Sequence, residues 1–201
     1  MRFKEATVKG WCSIVVFVSL LLVSACATTA ADCPQAGQAM PDLQLATPED
    51  EVQRGYLGLA AGQSFRLSDL KAEILVIEIF SMYCPYCQRE APNVNRFHEL
   101  VTRDSKAAER IRIFGIGVSN SSYEVKVFQN QYAIKFPLIP DPDLAVHDQV
   151  GSVRTPHFFV LKRAADGTRQ VIYSESGGFG RADAFLQLIL EKAGQAAGAK
   201  P

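Results

Sequence analysis

The chain has 201 residues, enough for one domain with a full hydrophobic core and short for two. Its 21 Lys and Arg balance 21 Asp and Glu, and the basic residues form no cluster. A nucleic-acid partner therefore has no electrostatic footing.

Taken in chain order, the N-terminus speaks first. Arg2, Lys4 and Lys9 precede an apolar run, Ile14 to Val23, that is too short to span a bilayer and is followed by small residues. That order describes an export signal, which lies outside the fold. The run ends in Leu22-Val23-Ser24-Ala25-Cys26, which resembles the bacterial lipoprotein box. The resemblance implies a signal peptide over 1–25, lipid modification at Cys26, and attachment to a membrane surface by acyl chains. An ordinary signal cut near Ala-Thr-Thr-Ala-Ala is the alternative, and it leaves an unanchored protein. Ala27, not Asp, follows Cys26, which in an enterobacteria-like system favours the outer membrane. Loss of 1–25 removes three basic residues and one acid, so the mature chain is mildly acidic. Export also places the cysteines where disulfides persist. Cys12 leaves with the signal, and Cys33 falls in a small, polar tether over 26–40. There it is an odd thiol, with an intermolecular or regulatory role as the alternative. Cys84 and Cys87 are the one pair in the globular part, 41–193.

Pro41 to Leu45 alternates apolar and polar residues, as does Gln63 to Leu67, and the two pair as an antiparallel ribbon. The stretch between them, 46–62, mixes helix and turn signals and discloses no role. Ile74 to Phe80 is apolar and rich in β-branched residues, interrupted once by Glu78, the pattern of a strand buried on both faces. A helix starts near Pro85, and Pro92 is expected to kink or break it. Ile111 to Val118 is a second buried strand. Ser121 with Glu124 forms a capping box for a helix carrying Val125, Phe128 and Tyr132 on one face. Phe136 to Ile139 is a short apolar segment, and Asp143 to Val150 suits a helical turn or two. "HFFVLKR" and "RQVIYSE" flank Asp166-Gly167 as a β-hairpin. A final helix over Arg181 to Ala193 turns Phe185, Leu188 and Ile189 inward, before a loose tail over 194–201. The order gives an α/β domain, a mixed sheet with helices on both faces; no internal repeat is present.

The chemistry centres on Cys84-Pro85-Tyr86-Cys87. A c-type haem site needs His after the second Cys, where Gln88 stands. A structural zinc site needs a second tight ligand pair, which the remaining Cys and His do not supply. An inert disulfide across so small a loop removes little unfolded-state entropy. A redox pair has positive support. A Cys opening a helix faces the positive end of the macrodipole and free N–H groups, which stabilise its thiolate. Pro85 suits the first helical position. Cys84 is then the exposed nucleophile, and Cys87, one turn inward, the resolving thiol.

A buried strand with an acid six residues before the first Cys, C-P-x-C opening a helix, and Thr155-Pro156 leading into an apolar strand together resemble the thioredoxin superfamily. Within it the chain is similar to the exported TlpA-like (redoxin) branch of thiol–disulfide oxidoreductases, from about Pro41 to Ala193. The resemblance implies a thioredoxin-like fold with the N-terminal ribbon as an extension and an inserted helix and strand before the cis-proline loop. It implies that loop at Thr155-Pro156, with the carbonyl before the proline open to a substrate strand and Tyr86 beside it. It also implies a buried acid near Cys87 that exchanges its proton. Glu78 and Glu90 are the candidates; a strand-edge or surface helix position is the alternative for each. Tyr83 replaces the tryptophan usual before the first Cys, and C-P-Y-C is a glutaredoxin-type dipeptide. The 72 positions from Cys84 to Pro156 exceed a minimal glutaredoxin. The P-x-x-x-T-x-x-C pattern of peroxiredoxins is absent before Cys84.

His98 and His147 are expected to be solvated. His157 is expected to be a strand residue, or else to approach the thiols and, with Met82, help them bind copper. The resemblance thus implies a periplasmic thiol–disulfide oxidoreductase, without cofactor or metal, acting on exported proteins and fed by a membrane electron donor. Reduction is the expected direction. A disulfide-forming oxidase and a copper metallochaperone are the alternatives.

Overall fold

The structure, a computed structural model, describes residues 31–198. The expected signal peptide, Cys12, Cys26 and residues 199–201 lie outside the described residues. Among the described residues, no helix is long and apolar enough to cross a membrane.

The ribbon forms as the alternation requires: β1 (Gln44–Ala46) pairs antiparallel with β2 (Ser64–Arg66), burying Leu45 against Phe65. Between them runs α1 (Glu51–Leu57), capped by the Asp50 carboxylate and ended by Gly58 in the left-handed region at φ 71°. The main sheet holds β3 (Ile74–Phe80), β4 (Ile111–Val118), β5 (Leu138–Asp141), β6 (His157–Arg163) and β7 (Arg169–Ser176). Its order is β5-β4-β3-β6-β7; β3, β4 and β5 are parallel, and β6 and β7 run antiparallel to their neighbours. All seven residues of β3 are buried, because both faces of the sheet are covered. One face carries α2 (Pro85–Arg103), α4 (Ser122–Gln131) and α6 (Ala182–Gly198), with Phe97, Phe128 and Phe185 packed on Val76, Phe80 and Phe158. The other carries the ribbon, Leu57 of α1 and Val146 of α5 (Ala145–Gln149), packed on Leu75, Ile77, Ile79 and Phe159. A short α3 (Ser105–Arg110) follows α2. The architecture is thioredoxin-like, and β5 is the inserted strand at the sheet edge.

Several expectations change. α2 continues through Pro92 without a break. Pro92 is exposed, so the carbonyl it releases lies on the water side and the buried stripe Cys87, Ala91, Val94, Phe97 and Val101 is undisturbed. His98 is not solvated: it lies on that stripe, is 8% exposed, and meets the rings of Tyr56 and Phe136 at 5.8 and 5.7 Å. His147 is half-buried, with Nε2 2.9 Å from the Val153 carbonyl. Leu188 turns outward at 36% exposure, whereas Phe185 and Ile189 are buried. α6 runs to Gly198, past the expected start of the tail.

The tether also ends earlier than its composition suggests. Pro34 and Met40 are buried, and the segment is laid along β7 by hydrogen bonds from Gly37 N to Val171 O and from Met40 N to Arg169 O, each 2.8 Å. Cys33 is half-buried, 3.6 Å from the Ser174 hydroxyl, and not free in a linker. Its backbone crosses Gly151 so closely that a Cβ there would stand 2.4 Å from Cys33 N.

β4 meets α4 equally closely at Gly117, where a Cβ would lie 2.6 Å from Val125 Cγ1 and 3.2 Å from the Phe80 ring. Neither neighbour is a flexible side-chain end. Gly117→Ala is expected to destabilise the domain by about 1–3 kcal/mol, the usual cost of overpacking, read as a lower urea midpoint at unchanged m-value.

Candidate active site

β3 ends at Phe80, and the chain turns through Ser81 to Tyr83 into α2. The turn is held by Cys84 N donating to Ser81 O at 3.0 Å. Asn120, fully buried after β4, accepts from Met82 N through Oδ1 at 2.8 Å, and Gln88 Nε2 donates to Met82 O at 2.8 Å. Cys84 is the residue capping the N-terminus of α2 and Pro85 opens the helix, as the motif requires. The two thiols are not joined by a disulfide.

Three residues apart, the two sulfurs meet opposite environments. Cys84 is half-buried, and burial alone disfavours its thiolate. The Thr155 side chain, the Cys87 thiol and the backbone N–H groups of Cys87 and Tyr86 outweigh that, holding the Cys84 thiol below the ordinary range. Its Sγ donates to the Thr155 carbonyl at 3.3 Å. The Thr155–Pro156 peptide is cis. The Thr155 carbonyl, expected to stand open to a substrate strand, faces the Cys84 sulfur. Cys87 is fully buried, and burial above all pushes its thiol up. Cys84 and the charge of Glu78 add to this, against a hydrogen bond from the Ser81 backbone.

Glu78 is the acid of the site. It points to the α2 face of the sheet, 2% exposed, and Oε1 has no protein partner. Burial raises its carboxyl to about 8, and the charges of Glu90 and Cys84 push the same way. Glu90, half-buried on α2, is thus brought into the same field. Its Oε1 accepts from Asn93 Nδ2 at 2.7 Å, and Asn93 also donates to Gly180 O at 2.6 Å. Gly178 leaves room for the carboxylate: a Cβ there would lie 2.4 Å from Glu90 Oε2. Tyr86 is 66% exposed beside the cysteines, with the Arg89 guanidinium 4.3 Å over its ring. Tyr83 is also exposed, its hydroxyl on Glu124 Oε1.

His157 does not join the thiols. It lies on the opposite face of the sheet, against Phe159, with Nδ1 2.9 Å from the Ser176 hydroxyl and Nε2 3.1 Å from that of Ser174. Burial lowers its pKa to about 4. Among the described residues, no three His, Cys, Asp or Glu side chains are grouped to hold a metal ion. Sequence reasoning missed Asn120, Asn93 and Gly178. Each acts from a loop or an exposed helix face, where neither periodicity nor spacing carries a signal.

A helix-opening C-P-x-C dithiol over a buried strand carboxylate, with a cis-proline loop against it, defines a thioredoxin-like thiol–disulfide oxidoreductase. The chain belongs to the AhpC/TSA family, whose model matches residues 36–168, a span that includes Glu78, both cysteines and Thr155-Pro156. It is 21% identical over 154 residues to the thiol-disulfide oxidoreductase ResA of Halalkalibacterium halodurans, covering 76% of this chain and 82% of that protein. It is 25% identical over 112 residues to ResA of Bacillus anthracis, covering 55% of this chain and 61% of that one. Among solved structures, the chain resembles a thiol:disulfide interchange protein DsbE of Chlorobium tepidum. The TM-score is 0.61 and the identity 17%, over 80% of this chain and 99% of the other. It also resembles a secreted Mycobacterium tuberculosis disulfide oxidoreductase homologous to E. coli DsbE. There the TM-score is 0.53 and the identity 17%, over 75% and 96%.

The Glu78 carboxyl couples the site to stability. Unfolded, it ionises from about 4.5; folded, it keeps its proton to about 8, so between those values rising pH favours the unfolded chain. Glu78→Gln removes that dependence. The difference in unfolding free energy between Glu78→Gln and wild type is expected to move steadily in the variant's favour from pH 5 to pH 8. Denaturant curves at matched ionic strength check this, and a constant difference contradicts it.

Proposed function

We propose that the protein reduces disulfides in other exported proteins through Cys84 and Cys87. The observation that carries this reading is the opposed environment of the two thiols: one at a donor-rich helix start, the other buried beside a carboxylate of raised pKa. The Cys84 thiolate attacks a substrate sulfur, forming a mixed disulfide and releasing the other substrate sulfur as a thiolate that takes up a proton. Cys87 then gives its proton to Glu78 and attacks Cys84 Sγ. This forms the Cys84–Cys87 disulfide and leaves the substrate as a dithiol. Glu78 suits this task because a carboxyl near 8 exists in both protonation states around neutral pH. Burial keeps that value high, and the charge of Glu90 adds to it. Thr155, Pro156 and the exposed Tyr86 form the wall against which a substrate strand lies.

The reading includes export by the 1–25 signal, anchoring to a membrane surface through lipid on Cys26, and a membrane donor that returns two electrons per turnover. The N-terminal charge pattern and the secreted character of the Mycobacterium tuberculosis neighbour support export. The order of small residues before Cys26 supports the anchor. No cofactor enters the chemistry.

Cys84→Ser is expected to abolish disulfide exchange with a model substrate. Cys87→Ser should accumulate a mixed disulfide with it, visible as a mass adduct lost on adding dithiothreitol. Equal residual turnover in both variants contradicts the two roles. Equilibration of the purified protein in glutathione buffers is expected to give a Cys84–Cys87 reduction potential near that of thioredoxin, about −270 mV. A value near about −120 mV makes the protein an oxidant and reverses the direction of the reading.

A further inference from the structure

At the end of the sheet opposite the cysteines, two arginines face one another. Arg163 closes β6 and Arg169 opens β7, and the two are cross-strand partners on either side of the Asp166-Gly167 turn. Like charges in that relation repel. Both line an open cavity of about 370 Å³, with Met40, Ser68 and Thr168 on its other walls. Arg169 is 3% exposed, which makes the repulsion costly.

Among the described residues, no carboxylate forms an ion pair with either arginine. Arg169 donates from Nη1 to Ala72 O at 2.8 Å and from Nη2 to Leu70 O, which are neutral carbonyls. Its Nε, and that of Arg163, are buried without a partner. Two carboxylates stand on the rim, and each is engaged elsewhere. Asp42 accepts from Ser68 N and Oγ at 2.9 and 3.0 Å and pairs with Arg66 at 3.6 Å. Asp166 accepts from Thr168 N and Oγ1 at 2.9 and 2.7 Å. Burial, with the charge of Arg163, lowers the pKa of Arg169 to about 10, as expected for a cation lacking a counter-charge.

We propose that this cavity is a binding site for a small oxyanion, a carboxylate or phosphate group, held between Arg163 and Arg169. The Arg163 guanidinium fork matches the paired oxygens of either group, and one negative charge beside the two cations offsets the cross-strand repulsion. The site lies away from the thiols and does not depend on their chemistry.

Calorimetric titration of the purified protein with inorganic phosphate, and separately with acetate, tests the site. Thermal unfolding in each anion against chloride at equal ionic strength accompanies it. Saturable binding of at least one anion, with a rise in Tm above that in chloride, is expected. Arg163→Gln should weaken that binding at least tenfold and leave Tm in chloride unchanged or higher. Arg163→Lys, which keeps charge but not the fork, should fall between them. Phosphate binding alone assigns a tetrahedral group, and equal response to acetate a planar one. No anion-specific response from the wild type, or an undiminished one from Arg163→Gln, overturns the site.

Discussion

The site depends on the burial of β3 on both faces. A strand covered by α2, α4 and α6 on one side and by the ribbon on the other offers no water to a charged group. Its one acid, Glu78, therefore holds its proton near neutral pH, and the same apolar surroundings keep Cys87 protonated. Cys84 escapes this regime because the helix begins at that residue, where N–H groups have no intrahelical acceptor. A single turn of helix thus divides a reactive sulfur from a dormant one.

How much of this was legible in the sequence follows from which forces are local. The C-P-x-C motif, the capping box at Ser121 and the hairpin at Asp166-Gly167 are short-range devices, and each lies where it was read. Glu78 was legible because one acid within a β-branched apolar run has few places to go. His98 was misread because its polarity was weighed above its position, four residues after Val94 and three before Val101 on one stripe. The packed segment from Cys33 to Met40 carries no pattern of its own. It is ordered by backbone hydrogen bonds to β7, and such bonds leave no mark on composition. Asn120 and Gly178 were hidden because their partners are distant in the chain, and so was the contact of Asn93 with Gly180.

The carboxylate side of the site and the Thr155-Pro156 segment are joined through one loop. Gly177 N donates to the Pro156 carbonyl at 2.7 Å, and the next residue, Gly178, is the one against which the Glu90 carboxylate rests. Burial above all raises the pKa of Glu78 and of Cys87, and the charge of Glu90 adds to the first as that of Glu78 does to the second. The Pro156 carbonyl and the Glu90 carboxylate are held by adjacent residues of one loop. Asn93 ties the same loop to α2: its side-chain amide spans Glu90 and Gly180, so the helix and the loop share one hydrogen-bond donor.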